Sequence, residues 1–219
     1  MAARKLLAFD LDGTLVGNDY QISPRTLTAV KRARDAGHIV TVITGRVTAS
    51  ARVYLKALGV DVAFGTAQGA CVHHSDGSLL RDVRLPHATL LKLVETFGHE
   101  AVEFFVPHGE NVYVKNPDSR REDGTEYWAW IKNEGRPVHG IQHLPVEDVY
   151  KISLHHATLE AFTPRVMAAF PGHQFYPWGG RHLEVTHVDA HKGAALELIA
   201  AHLSVDRGDV IAFGDGNTT

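Results

Sequence analysis

Two carboxylates one residue apart, Asp10 and Asp12, stand at the end of a short apolar run, Leu6-Leu7-Ala8-Phe9, and are followed at once by Gly13-Thr14. On an extended backbone, side chains two residues apart point to the same side. Two carboxylates placed that way repel unless a cation or a shared proton relieves them. One acid of such a pair can bind a metal or attack an electrophile while the other carries a proton. A solvated Asp-Gly turn gives the same short pattern. The longer string Asp-x-Asp-Gly-Thr, however, arises by chance in only about a few chains per thousand at average residue usage. Groups of related chemistry end two further apolar runs: Thr44-Gly45-Arg46 follows residues 39–43, and Gly214-Asp215-Gly216-Asn217 follows residues 209–213. Lys192 opens a helical segment between them. Two or three carboxylates around one small region suit a hard cation such as Mg²⁺. A lysine and a threonine hydroxyl beside them suit an anionic, phosphate-bearing substrate. Together they fit phosphoryl transfer, in which charge on the non-bridging oxygens must be neutralised.

The elements around these groups predict how they converge. Residues 6–9 read as a buried strand. Ser23-Pro24 reads as a helix N-cap followed by proline at the first helical position, with a helix over 24–36 that Gly37 stops. A second buried strand covers 38–43, a helix follows over 47–58 up to Gly59, and a short strand covers 60–64. Strand and helix alternate, which predicts a parallel sheet. The carboxyl ends of such strands line one edge, where open α/β sheets hold their ligands. Between about 82 and 181 the texture changes and aromatic residues concentrate, among them Phe104, Phe105, Tyr113, Tyr127, Trp128, Trp130, Tyr150, Tyr176 and Trp178. Candidate strands at 101–106, 111–115, 149–155 and 182–186, with helices at 87–98, 124–133 and 158–169, predict an α+β module: an antiparallel sheet with helices on one face. The α/β pattern then resumes with a helix over 191–203 and a strand over 209–213. The expected fold class is α/β: a Rossmann-like parallel-sheet core over 1–81 and 182–219, interrupted by an α+β cap over 82–181.

Composition narrows the partners. The 219 residues suit one domain with an insertion or two small domains, and 44% hydrophobic with 21% charged residues is ordinary for a chain with a real core. A formal net charge of −3 leaves no basic footprint for nucleic acid. No apolar run approaches the ~18 residues of a membrane span, so neither nucleic acid nor membrane is an expected partner, and a cytoplasmic location is expected. The single cysteine, Cys71, excludes an internal disulfide framework. The 15 histidines are scattered without metal-ligand spacing and read as structural.

Four segments in this order, Phe9-Asp10-Leu11-Asp12-Gly13-Thr14-Leu15, Val42-Ile43-Thr44-Gly45-Arg46, Asp189-Ala190-His191-Lys192-Gly193-Ala194-Ala195-Leu196 and Phe213-Gly214-Asp215-Gly216-Asn217, resemble the haloacid dehalogenase-like phosphohydrolases, in particular the Cof-type branch of sugar-phosphate phosphatases. The large insert between the second and third segments matches as well. The resemblance implies that Asp10 is the nucleophile that forms an aspartyl-phosphate and that Asp12 is the general acid and base. It further implies that Thr44 hydrogen-bonds the transferring phosphoryl group and that Lys192 neutralises its charge. Asp10, the backbone carbonyl of Asp12, and Asp215 are then the Mg²⁺ ligands. Thr44, Gly45, Arg46 and Lys192 form the implied phosphate-binding set, with Arg181 and His182 of the cap as candidate substrate contacts. The implied substrate is a small phosphorylated metabolite. A hexose phosphomutase of the same architecture and a catalytically impaired phosphometabolite-binding protein are the alternatives. The sequence departs from the family at Thr218 and Thr219, where asparagine and a second aspartate are usual, and at Gln68, where asparagine is common. A neutral hydroxyl does not replace a carboxylate that orients metal-bound water, so weakened metal binding is expected. Members of the family also continue with a helix, a strand and a further helix, so the C-terminal part of the core is expected to be missing from these 219 residues.

Overall fold

A computed structural model describes residues 4–117, 126–178 and 180–216. The chain divides into two compact units, one built from Met1–Val83 with Asp189–Thr219 and the other from Arg84–Val188. In chain order the first unit contains β1 (Leu6–Phe9), α1 (Pro24–Asp35), β2 (Ile39–Val42), α2 (Thr48–Leu58), β3 (Phe64–Thr66), β4 (Cys71–His73) and β5 (Leu79–Asp82). The second contains α3 (His87–Phe97), β6 (Val102–His108), β7 (Asn111–Val114), α4 (Glu126–Glu134), β8 (Val138–Gly140), β9 (Lys151–His156), α5 (Leu159–Ala169), β10 (His173–Trp178) and β11 (His182–His187). The first then closes with α6 (Lys192–His202) and β12 (Val210–Phe213).

The first unit is organised by strand alternation. β1 pairs in parallel with both β2 and β12, and a single parallel bridge from Ile43 to Gly65 links β2 to β3. Leu7, Phe9, Val40 and Val42 turn to one face, where they pack with Val30, Tyr54, Leu55 and Leu58 of α1 and α2. Leu6, Ala8, Ile39 and Ile43 turn to the other, against Ala195 and Ile199 of α6. The period of two in these short apolar runs therefore fills two separate layers. The Ser23 side chain accepts the Thr26 N–H at 3.0 Å, and Pro24 follows it, as expected of a helix start. At the end of α2, Gly59 is left-handed (φ +66°) and the Val60 N–H returns to the Leu55 carbonyl. That return keeps residues 60–63 out of the sheet, so the strand expected at 60–64 begins only at Phe64. β4 and β5 continue antiparallel from β3 through a tight turn at Gly77 (φ +87°), and no α/β alternation forecast them. β12 forms an outer edge of the parallel sheet, with Ile211 42% and Phe213 40% exposed.

The second unit is a six-stranded sheet in the order β10-β11-β9-β6-β7-β8, antiparallel except for the β7–β8 pair. Two expectations need correction here. Helices lie on both faces: Phe104 and Leu154 face Leu93, Phe97 and Phe162 of α3 and α5, whereas Phe105, Val112 and Val114 face Tyr127 and Ile131 of α4. Adjacent Phe104 and Phe105 must point opposite ways on a strand, so each seeds its own layer. The boundary expected at 182 also moves. His182–His187 is hydrogen-bonded between β9 and β10, and the first unit resumes only at Asp189. Residues 124 and 125 of the expected fourth helix lie outside the described residues.

His182 gives this unit a pH dependence. Its ring stacks on Trp178 (4.2 Å, 11°), lies 4.8 Å from His155 and 5.6 Å from Tyr127, and is 1% exposed. Burial, and then the neighbouring His155, push its imidazole down to about 3. An imidazole in the unfolded chain titrates near 6.5. Between those values the unfolded state binds the extra proton, so stability falls as pH falls, by about 1.4 kcal/mol per unit. Urea unfolding at pH 5 should thus be about 2 kcal/mol easier than at pH 7 on account of this residue. His182→Asn should show a shallower dependence, and an identical slope in both proteins would refute the assignment.

Candidate active site

Asp10 follows β1 directly, and the pairing of β1 with β12 continues into it, since its N–H donates to the Phe213 carbonyl at 3.0 Å. Its carboxylate is held from two sides. Oδ1 accepts the Leu11 N–H at 2.7 Å, and Oδ2 accepts from Lys192 Nζ at 2.5 Å. Asp10 is 9% and Lys192 6% exposed, so neither charge has bulk water as its principal solvent. Burial pushes the Asp10 carboxyl above the ordinary carboxylate range, while the Lys192 ammonium works against that shift. The lysine owes its place to α6. It is the first helical residue, after His191, whose Nδ1 accepts the Ala194 N–H at 3.1 Å. Ala195 and Ile199 then fasten the helix to the sheet.

Asp12 takes a different course. The chain bends at Leu11 and closes a small loop, with the Gly13 N–H on the Val16 carbonyl at 3.1 Å and an isolated bridge between Asp12 and Val16. The extended geometry assumed for Asp-x-Asp is thereby lost, and the two carboxylates find separate partners. Arg46 donates from Nε to Asp12 Oδ2 at 2.8 Å and from Nη2 to Oδ1 at 2.6 Å, a two-point fork. The Asp12 side chain remains 54% exposed, the Arg46 side chain only 5%.

Thr44 and Gly45 sit where β2 gives way to α2. Thr44 is fully buried, donates its N–H to the Gly65 carbonyl at 3.1 Å, and accepts the Arg46 N–H on Oγ1 at 3.1 Å. The turn after β3 locks this loop from behind: the Ala67 N–H reaches the Arg46 carbonyl at 2.7 Å and the Gln68 N–H the Thr44 carbonyl at 3.0 Å. Ala67 (φ +51°) and Gln68 (φ +59°) are both left-handed, a conformation that costs non-glycine residues roughly 1–2 kcal/mol each. A Cβ on Gly45 would lie 2.5 Å from Gln68 Nε2, so the amide packs directly on the glycine. In the sequence Gln68 stands out only as a departure from the family pattern; its packing on Gly45 follows from the fold. Asp215 lies across Gly13. Glycine is required there twice over, because φ is +73° and a Cβ would fall 2.0 Å from Asp215 Oδ2.

The first unit therefore brings Asp10 onto Lys192, Asp12 onto Arg46, Thr44 onto the Arg46 backbone and Asp215 onto Gly13. The candidate substrate contacts Arg181 and His182 belong to the second unit. His182 is corrected: buried in its aromatic stack, it serves as packing. Asn217, Thr218 and Thr219 lie outside the described residues. Among the described residues no group of three or more His, Cys, Asp or Glu side chains is clustered to hold a metal ion. None of the described helices is long and apolar enough to cross a membrane.

Comparison with known proteins shows which family the chain resembles. A family model described as haloacid dehalogenase-like hydrolase matches residues 7–218. The chain is 28% identical over 219 residues to an HMP-PP phosphatase of Escherichia coli O6:H1, covering 96% of this chain and 77% of that protein. It is 26% identical over 220 residues to an HMP-PP phosphatase of Serratia proteamaculans, with the same coverage of 96% and 77%. Among solved structures, a haloacid dehalogenase-like hydrolase from Bacteroides thetaiotaomicron superposes with a TM-score of 0.84 at 17% identity, over 99% of this chain and 83% of that one.

Proposed function

Because the chain belongs to the haloacid dehalogenase-like hydrolases, in their Cof-type branch, and is a phosphoric monoester hydrolase, we propose that it releases phosphate from a small sugar phosphate, with Asp10 as the nucleophile and Mg²⁺ as the cofactor. The observation that carries this reading is the buried Asp10–Lys192 contact of 2.5 Å at the end of β1. An attacking carboxylate must be ionised and stripped of most of its water. Burial does the stripping, and the ammonium keeps the charged form accessible. In the first half of the reaction an Asp10 oxygen bonds to phosphorus as the bond to the leaving alkoxide breaks, and Asp12 supplies the proton that the alkoxide takes up. In the second, water attacks the aspartyl-phosphate and Asp12 takes its proton. Thr44 Oγ1 and the Lys192 ammonium provide donors for the phosphoryl oxygens.

The donor set fits a hard cation. Its oxygens would come from the Asp10 and Asp215 carboxylates and the Asp12 carbonyl, and the missing Cβ of Gly13 leaves the space that lets Asp215 approach. A cation held there would supply neutralising charge for the phosphoryl group. Gly13→Ala tests this fit directly, since its methyl would force Asp215 away. We expect the Mg²⁺ concentration for half-maximal activity to rise about tenfold or more, with the protein still folded by circular dichroism. An unchanged Mg²⁺ requirement would remove Asp215 from the set.

A second substrate reading is favoured by the relatives, which include HMP-PP phosphatases at 26% and 28% identity. Phosphate release from a panel of hexose phosphates and HMP-PP, in Mg²⁺ buffer, separates the two readings by their kcat/KM. Following hexose phosphate isomers in the same reactions separates hydrolysis from a mutase. Binding without phosphate release from any of them would support the non-catalytic alternative and overturn this proposal.

A further inference from the structure

Arg46, which holds Asp12, is itself held by a residue outside every motif of the sequence. Its guanidinium lies over the Tyr54 ring, with Cζ 4.7 Å from the ring centroid, and both side chains are buried. Tyr54 lies on α2, and its Oη donates to the Tyr20 carbonyl at 3.1 Å. Tyr20 belongs to the loop that follows Asp12. Its N–H closes on the Gly17 carbonyl at 3.0 Å, and the Gly17 N–H closes on Gln21 at 3.0 Å. One side chain thus touches the fork on Asp12 through its ring and the loop of Asp12 through its hydroxyl.

A half-exposed aspartate turns freely about its side-chain torsions unless something fixes the plane of its carboxylate. A guanidinium fork does so only if the guanidinium, on a long flexible stem, is fixed in turn. An aromatic face beneath a desolvated guanidinium supplies that support. We infer that Tyr54 is a positioning residue: its ring holds the Arg46 fork, and through it the Asp12 carboxylate, in the orientation that takes a proton from water in the second half of the reaction. This inference rests on the roles of Asp10 and Asp12 proposed above. In that half-reaction the water oxygen bonds to phosphorus and the phosphorus–oxygen bond to Asp10 breaks. Its electron pair returns to the Asp10 carboxylate, and one water proton passes to Asp12. The fork occupies two of the carboxylate's roughly four acceptor positions, leaving others for the water. With p-nitrophenyl phosphate the first half needs no proton, because the leaving group is stable as its anion. Misplacing Asp12 should therefore slow only the second half.

The test is stopped-flow hydrolysis of p-nitrophenyl phosphate in Mg²⁺ buffer, with acid quenching to count the phosphoenzyme. For Tyr54→Leu we expect a nitrophenol burst within about threefold of the wild-type rate, a steady-state rate about tenfold lower, and more trapped phosphoenzyme. Tyr54→Phe keeps the ring and should bring the steady state back to within about threefold. Arg46→Lys keeps the charge without the fork and, at saturating substrate, should likewise trap more phosphoenzyme than wild type, so the test stands even if the leucine variant fails to fold. Burst and steady state falling together, or neither falling, would overturn the inference. Asp12→Asn separates a failure of the Tyr54 role from a failure of the Asp10 and Asp12 roles. If it accumulates phosphoenzyme and both the Tyr54→Leu and Arg46→Lys variants do not, only the inference about Tyr54 fails. If neither it nor the wild type yields any, the proposed roles of Asp10 and Asp12 fail first.

Discussion

Asp10→Asn is expected to lower phosphate release by at least about four orders of magnitude while leaving the protein folded. Asparagine has nearly the same shape and keeps an oxygen for the Leu11 N–H, now accepted at 2.7 Å. What it loses is the charge that attacks phosphorus. Its amide has no negative oxygen to offer, and among the described residues Asp12 is turned onto Arg46 and Asp215 lies against Gly13. The substitution also leaves the Lys192 ammonium buried without its counter-charge, so a loss of thermal stability should accompany the loss of activity. The two effects are separable, since a protein that melts a few degrees lower still turns over at 25 °C unless its chemistry has been removed. Residual activity above about one per cent of wild type would mean that another group attacks phosphorus.

Lys192→Met is the second large effect, and it acts in the opposite sense on the same pair. The methionine stem replaces the lysine's methylenes in the α6 packing but supplies no donor for Asp10 Oδ2, now 2.5 Å from the ammonium. Burial already pushes the Asp10 carboxyl upward, and Lys192 is the largest influence opposing it. Removing the ammonium leaves only the Leu11 N–H to oppose desolvation, so the nucleophile protonates at a higher pH. The consequence is a pH-activity profile whose acid limb moves toward neutrality, with kcat down by about 10²–10³-fold near pH 7. The sign for stability follows from the same pair. A carboxylate buried without its partner costs about 3–5 kcal/mol when ionised, and protonation relieves that cost, so Lys192→Met should recover part of its lost stability as pH falls. Thermal melts and kcat measured across pH 5 to 8 check both statements. An acid limb that stays in place would show that Lys192 does not govern the charge of Asp10.

Much of the site was legible in the sequence because it is written in local strings that end strands. The apolar run before Asp10, the Thr44-Gly45-Arg46 string and the His191-Lys192 helix start each define an element and the group it delivers. The alternation of Leu6 and Ala8 with Leu7 and Phe9 resolves into two packed layers in the structure. The rest was illegible for physical reasons. The Arg46 fork on Asp12 spans 34 residues and depends on a bend at Leu11 that no residue type announces. Gln68 acts through a left-handed backbone that its side chain does not favour. Tyr54 looks like any apolar position of an amphipathic helix, and only its placement under a guanidinium distinguishes it. The boundary between the units was misjudged because β11 has the same composition whether it joins one sheet or the other, and its pairing with β9 and β10 decides the matter.

On the proposed mechanism, phosphate passes through the Asp10 carboxylate. Acid quenching of the enzyme during turnover of a phosphate ester, followed by borohydride reduction and peptide mass spectrometry, tests it most directly. Reduction converts an aspartyl-phosphate to homoserine, so homoserine is expected at position 10, absent from Asp10→Asn and from enzyme quenched without substrate. Steady phosphate release with position 10 unmodified, or with the label on another residue, would contradict it.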